Sequence, residues 1–196
     1  MSDKAMSNLG YDRVEDDFYA TPTWMIENIL PTLINRGLVN RGTKFVEPAC
    51  GDGAISKVLE NWELVTYSSD LCDRGYGTPG KDFLQSTVAD LRDGTFIFTN
   101  PPFGNLAEQF VRHALKLTKN VKNGRVGMIL RNEWDSGKGR MDLFQNHPAF
   151  CMKITYTTRP RWIANTKGSP RHNYAAFFWD WNNKSDPVIQ YINKNQ

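Results

Sequence analysis

Lys44-Phe45-Val46-Glu47-Pro48-Ala49-Cys50-Gly51-Asp52-Gly53-Ala54-Ile55 decides the fold. Lys44 to Pro48 reads as a short strand, Gly51 to Gly53 as a tight turn, and Ala54 to Trp62 as a helix. Gly51 and Gly53 allow positive φ and a close backbone approach. The helix start behind them offers free N–H groups to a negatively polarised group. The turn lacks the third glycine of a dinucleotide fold, because Ser56 stands there, and it lacks the Gly-Lys-Ser/Thr of a phosphate loop.

Outward from this turn, strand-like and helix-like segments alternate. Leu64 to Ser68, Thr95 to Thr99 and Val126 to Leu130 read as strands, and Met152 to Thr157 and Tyr174 to Trp181 as two late ones. Ala107 to Thr118 is amphipathic, with Phe110, Ala114 and Leu117 on one stripe. Pro22 to Leu38 reads as a helix capped by Thr21, kinked or split at Pro31. The alternation predicts an α/β domain, a Rossmann-like and mostly parallel sheet with a late antiparallel strand and helices on both faces. In such sheets ligands bind outside the carboxyl ends of the strands. Both distinctive loops, 48–53 and 100–104, follow strands directly.

Length and composition agree. The chain has 196 residues, 40% hydrophobic and 23% charged, which suits one globular domain. No apolar run nears the ~18 residues of a membrane span, and Met1 to Asp17 lacks an apolar export signal. Three scattered cysteines, Cys50, Cys72 and Cys151, form neither a disulfide framework nor a zinc site. A reducing, cytoplasmic compartment is expected, with no metal. Charge is lopsided. Residues 1–104 hold nine Lys/Arg and fifteen Asp/Glu; residues 105–196 hold fifteen and six. A basic half suits a polyanionic partner such as nucleic acid.

Thr99-Asn100-Pro101-Pro102-Phe103 is the second informative stretch. An exocyclic amine on a heterocycle is a poor nucleophile, because its lone pair delocalises into the ring. Acceptors that hold its N–H groups favour localisation of the pair. The Asn100 side-chain oxygen and the Pro101 carbonyl are of that kind. Pro101 and Pro102 stiffen the loop, and Phe103 offers a face to a stacked base.

Together the two stretches resemble the first and fourth motifs of S-adenosylmethionine-dependent amino-methyltransferases, above all the small phage- and prophage-type DNA N6-adenine methyltransferases. Cytosine-N4 enzymes more often begin the fourth motif with Ser or Thr, and no cysteine here follows a proline as a cytosine-C5 enzyme requires. The resemblance implies the cofactor S-adenosylmethionine, with Gly51 and Gly53 near its methionine part, Pro48 in the same loop, and Glu47 or Asp52 near its ammonium. It implies Asp70 at the ribose hydroxyls, with Asp73 as the alternative. It implies Asp82 at the adenine amino group and Phe83 stacked on the ring. Asp17-Phe18-Tyr19-Ala20-Thr21-Pro22 resembles the motif that closes over the methionine end. Asn100, Pro101, Pro102 and Phe103 become the catalytic loop.

The C-terminal pattern resembles the last strands of these small enzymes. There Arg159, Arg161, Lys167 and Arg171 interleave with aromatics, as a bound nucleic acid strand requires, and Trp162 is the candidate for the target pocket; Arg131, at the end of the Val126 to Leu130 strand, is a further candidate for a phosphate contact. Residues 1–16 read as a flexible acidic N-terminus and 17–196 as one domain without a separate target-recognition region. Specificity then falls to loops 132–148 and 158–173, to a homodimer or to a separate partner. RNA or a protein amide remains an alternative acceptor, and a non-catalytic nucleic-acid-binding module is the rival class.

Overall fold

A computed structural model describes residues 19–162 and 169–195. Seven strands form one sheet in the order β2-β1-β3-β4-β6-β5-β7. β1 (Lys44–Glu47), β2 (Val65–Ser68), β3 (Thr95–Thr99) and β4 (Arg125–Arg131) run parallel. β6 (Tyr174–Asp180) is antiparallel to both β4 and β5 (Phe150–Tyr156), and β7 (Val188–Ile192) adds a parallel edge beside β5. The expected architecture is therefore present, with one strand more than the sequence pattern predicted.

β3 is buried along its whole length and β4 along all but its last residue. Strands covered on both faces must be apolar on both, so these read as unbroken hydrophobic runs. One face carries α1 (Trp24–Glu27), α2 (Leu30–Asn35) and α3 (Ala54–Asn61), packed on Phe45, Phe96, Phe98 and Phe178. The other carries α4 (Asn105–Thr118) and α5 (Met141–Phe144) on Ile97, Val126, Met128 and Trp179. The polar ends of buried aromatics find partners. Tyr156 Oη donates to the Met25 carbonyl at 3.1 Å and Trp179 Nε1 to the Leu143 carbonyl at 2.8 Å. Arg125 and Asp180, cross-strand neighbours of β4 and β6, form a nearly buried ion pair at 3.2 Å.

The first helix is split, as Pro31 leads one to expect, with Asn28 and Ile29 between α1 and α2. Pro31 lacks an N–H and its ring collides with the carbonyl four residues back, which is Glu27, the last residue of α1. Pro31 itself sits in the first turn of α2, where no N–H is needed. The departure is at the start: Thr21 does not cap this helix. Thr23 holds the N-cap position, without a side-chain cap bond. Among the described residues no helix is long and apolar enough to cross a membrane.

Candidate active site

The carboxyl ends of β1, β2 and β3 open into a cleft of about 360 Å³, a volume suited to a small-molecule ligand. Tyr19, Thr21, Glu47, Pro48, Gly51, Asp70, Asp82, Phe83, Asn100, Pro101, Pro102 and Phe103 all line it. The sequence placed these residues at one site from motifs spread over eighty positions, and the fold brings them together. Gly53 stands behind the lining rather than in it. Its φ is +83°, and a Cβ there would lie 2.5 Å from the Tyr76 ring. Its role is to let the turn pack under Tyr76. Phe18 and Lys167 lie outside the described residues.

Glu47 ends β1 and is fully buried. It accepts hydrogen bonds from the Ser56 backbone N–H at 2.9 Å and from the Ser56 hydroxyl. Ser56 Oγ in turn lies 2.6 Å from Ser68 Oγ, which ties α3 to β2. Burial pushes the Glu47 carboxyl well above its usual range; the Ser56 bonds oppose this, and Asp70 and Asp52 add to it. Asp52 meanwhile accepts from the Ala54 N–H at 3.2 Å, at the helix start.

Asp70 lies two residues beyond the end of β2. Its Oδ2 accepts the Gly51 N–H at 2.8 Å and its Oδ1 the Cys72 N–H at 2.9 Å. The acid thus fixes the glycine turn while keeping carboxylate lone pairs for a ligand's hydroxyls. Asp73 turns its Oδ1 to the Gly75 N–H at 3.0 Å and does not line the cleft. Asp82 starts the 3-10 turn Phe83–Gln85 by accepting from the Leu84 N–H at 3.0 Å. Phe83 is buried, tilted against Phe110 at 4.9 Å and edge-on to His113 at 5.0 Å.

The Asn-Pro-Pro-Phe loop leaves β3 and runs into α4 through Gly104, whose φ of +80° suits a residue without a Cβ. Asn100 Nδ2 donates to Thr21 Oγ1 at 3.2 Å. Asn100 Oδ1 is buried, and no donor among the described residues reaches it; the same holds for the Thr99 hydroxyl. A buried acceptor without a partner costs about 1–3 kcal/mol. Such a group in a native fold calls for an explanation, and Asn100 lines the cleft. Phe103 is stacked on Tyr19 at 5.4 Å and 23°, and Trp162 meets Phe103 at 6.2 Å and Tyr174 at 4.7 Å, both edge-on.

Of the candidate nucleic-acid residues that are described, Arg131, Arg159, Arg161 and Arg171 are outside the cleft lining. Arg131 Nη2 approaches His172 Nε2 at 3.4 Å. Arg159 donates to Asn173 Oδ1 at 2.8 Å and to the Pro170 carbonyl at 3.3 Å. Burial, and then the charges of Arg131, Arg171 and Arg159, hold His172 below its ordinary range. These cations therefore gather around His172, in the loop that leads into β6 at Tyr174. Arg161 is exposed next to Trp162. Trp134 packs against Phe144 at 5.7 Å beneath the Arg140 guanidinium at 4.2 Å, so it belongs to the packing of loop 132–148.

Sequence reading missed Leu71, Arg74, Lys81 and Leu106, which also line the cleft. Leu71 and Lys81 are each adjacent to a motif acid, the one signal that pointed to them. The Thr21–Asn100 bond spans 79 positions and has no sequence signal.

No protein-family model matches the chain, and no curated protein matches its sequence. Solved structures share the fold. A Pyrococcus horikoshii protein provisionally classed as an RNA methyltransferase matches with TM-score 0.63 and 14% identity, over 88% of this chain and 90% of that one. A type I restriction-modification methyltransferase subunit from Streptococcus thermophilus matches with TM-score 0.60 and 12% identity, over 89% of this chain. Magnesium protoporphyrin IX methyltransferase from Synechocystis, solved with bound S-adenosylmethionine, matches with TM-score 0.53 and 14% identity, over 81% and 78%. The chain spans about half the length of the modification subunits it matches, 47% for the Streptococcus protein.

Proposed function

We propose that this chain transfers a methyl group from S-adenosylmethionine to an exocyclic amine, adenine N6 of DNA above all. The observation that carries the reading is Asn100 Oδ1, a buried acceptor without a donor among the described residues, in the cleft beside Pro101 and Phe103.

The residues fit the cofactor's chemistry. Bound there, the cofactor supplies an electrophilic methyl on a sulfonium sulfur. Asp70 accepts its ribose hydroxyls through charge-assisted bonds. Asp82 accepts its adenine amino group, with Phe83 beside the ring. Glu47 and Asp52 bring negative charge towards its ammonium, and Glu47 ionises when that cation approaches.

Asn100 Oδ1 and the Pro101 carbonyl take the two N–H groups of the acceptor amine. That holds the nitrogen lone pair away from the ring and along the line of attack. The cofactor would supply the methyl to the nitrogen so held and leave as the neutral thioether, and the proton released by the amine would pass to solvent. Positioning supplies the catalysis, so no nucleophilic side chain is required. Phe103, with Trp162 and Tyr19 around it, gives the base an aromatic wall. Arg131, Arg159, Arg161 and Arg171 neutralise phosphates of the strand.

Cys50, Cys72 and Cys151, the first and last of them buried, form no disulfide among the described residues, which suits a reducing cytoplasm. Recognition of a particular site falls to loops 132–148 and 158–173 or to a partner chain, a second copy included. The test is transfer of labelled methyl to unmethylated DNA, bulk RNA and protein extract in parallel. Label in DNA recovered as N6-methyladenine supports the reading. Label in RNA or protein replaces the substrate. Strongly salt-dependent DNA binding with no label anywhere leaves a non-catalytic module.

A further inference from the structure

We infer that His172 is a proton-linked phosphate site: neutral in the free protein, it takes up a proton from solvent when a nucleic acid strand docks on the arginines around it. The inference deepens the nucleic-acid reading and rests on it. A guanidinium has only donors, so its hydrogen bond to an imidazole nitrogen needs that nitrogen's lone pair. Arg131 Nη2 lies 3.4 Å from His172 Nε2. In this arrangement Nε2 is deprotonated and the ring carries its one proton on Nδ1. A phosphate oxygen offers Arg131 a charged acceptor in place of that lone pair. Nε2 is then released to take a proton and donate to the same anion.

The surroundings of His172 tie this proton to binding. Arg159 donates to Asn173 Oδ1 at 2.8 Å and to the Pro170 carbonyl at 3.3 Å, so it clasps the loop on both sides of Arg171 and His172. The Asn132 N–H donates to the Asn173 carbonyl at 3.0 Å, which joins the same loop to the turn after β4. The charged groups acting on the ring are Arg131 from β4, Glu133 from the turn after it, Arg159 from the segment after β5 and Arg171 from its own loop. Lys153 of β5 and Asp135 of that turn pair with each other at 2.8 Å. Burial disfavours the imidazolium first, and three arginines against one glutamate add to this. A phosphate reverses the second effect, because it neutralises the arginines and attracts an imidazolium. Two residues on, Tyr174 meets Trp162 at 4.7 Å and Phe103 at 6.4 Å. His172 thus stands where the basic loop meets the aromatic wall, the place for the backbone of a stacked nucleotide. Binding that raises a group's affinity for protons is itself strengthened by protons. The added affinity is full below the free-state pKa, which lies under the ordinary ~6.5, and is lost as pH rises through the pKa of the complex.

The test uses the full chain as wild type and as His172→Gln, which keeps an acceptor for Arg131 and cannot titrate, with His172→Asn in case Gln disturbs the loop. The probe is an unmethylated single-stranded DNA oligonucleotide containing adenine, at low salt. Imidazole C–H signals are followed by NMR against pH, free and bound. The chain has three histidines, so His113 and His147 serve as references and His172 is the signal the variants lose. Titration calorimetry in buffers of different ionisation enthalpy counts the protons taken up. The expected result is a His172 titration at higher pH in the complex than in the free protein, with proton uptake near neutral pH and the other two histidines unmoved. From pH 8 to pH 5, DNA affinity should rise about tenfold more in wild type than in either variant, the change that one pKa unit represents. An unchanged or lowered His172 titration in the complex would overturn the inference, as would equal proton uptake in His172→Gln. DNA bound without proton uptake refutes the His172 role alone and leaves the nucleic-acid reading standing. No DNA bound at either pH removes that reading and the inference with it.

Discussion

Asp70→Ala probes the cofactor end of the cleft. The carboxylate accepts two backbone N–H groups, Gly51 at 2.8 Å and Cys72 at 2.9 Å, in a half-buried setting. A hydrogen bond to a charged group contributes about 1.5–3 kcal/mol. Water can replace part of this where the groups are accessible, so the pair should cost about 2–3 kcal/mol of stability. For a chain of this size each kcal/mol moves Tm by about 2–4 °C, giving a fall of about 4–12 °C. Separately, losing the acceptor of the ribose hydroxyls should weaken S-adenosylhomocysteine by another ~1.5–3 kcal/mol, roughly 10- to 150-fold. Calorimetric titration below both Tm values separates binding from stability. Asp73→Ala is the control: its carboxylate faces the Gly75 N–H outside the cleft, so affinity should hold. Affinity within twofold of wild type in Asp70→Ala, or an equal loss in Asp73→Ala, would refute the assignment of the ribose acid.

Two further outcomes follow from the same geometry. Glu47 has a folded-state pKa raised by burial above that of the unfolded chain, so the native state binds the proton more tightly. Stability from this group is then full at low pH and falls as pH rises from ~4.3 through the folded pKa. Glu47→Gln keeps an acceptor for Ser56 and removes the titration, so its Tm advantage over wild type should grow from pH 5 to pH 8; a gap that shrinks over that range would contradict the burial argument. Gly53→Ala forces a left-handed φ on a residue with a Cβ, about 1–2 kcal/mol, and drives that Cβ into the Tyr76 ring. Adding Tyr76→Ala should remove the collision and leave the backbone cost, which paired thermal scans of the single and double variants would resolve.

Sequence pattern carried the site further than it carried the chain's outer elements. β1 and β3 were legible because each runs into a loop of unusual composition, and β3 and β4 because burial on both faces leaves unbroken apolar runs. β7 was not. Its alternation of half-buried and exposed positions leaves Ile189 and Tyr191 exposed, and Asn, Lys and Pro surround it, so it reads as a polar tail. Sheet order was also hidden: nothing local says that β6 inserts between β4 and β5. Thr21 shows how a residue with an obvious local role can lose it. A Thr-Pro before a helical stripe predicts a cap, yet the helix starts two residues later and the hydroxyl goes to Asn100. Glu47, Asp70 and Asp82 share the cleft because one ends a strand, one lies just beyond a strand and one opens a turn. The contact of Asn100 with Thr21 spans 79 positions, beyond any local pattern.

The most direct test of the account is Asn100→Ala measured twice, by S-adenosylhomocysteine binding and by single-turnover methyl transfer to the acceptor that wild type labels. The side chain removed carries the buried oxygen proposed to hold the amine, while the other cleft residues Asp70, Asp82 and Phe83 remain. Losing one such preorganised acceptor should lower the rate by about 10²–10³-fold or more, with cofactor affinity within a few-fold of wild type. Turnover retained near the wild-type rate, with binding intact, would contradict the claim that Asn100 holds the methyl acceptor.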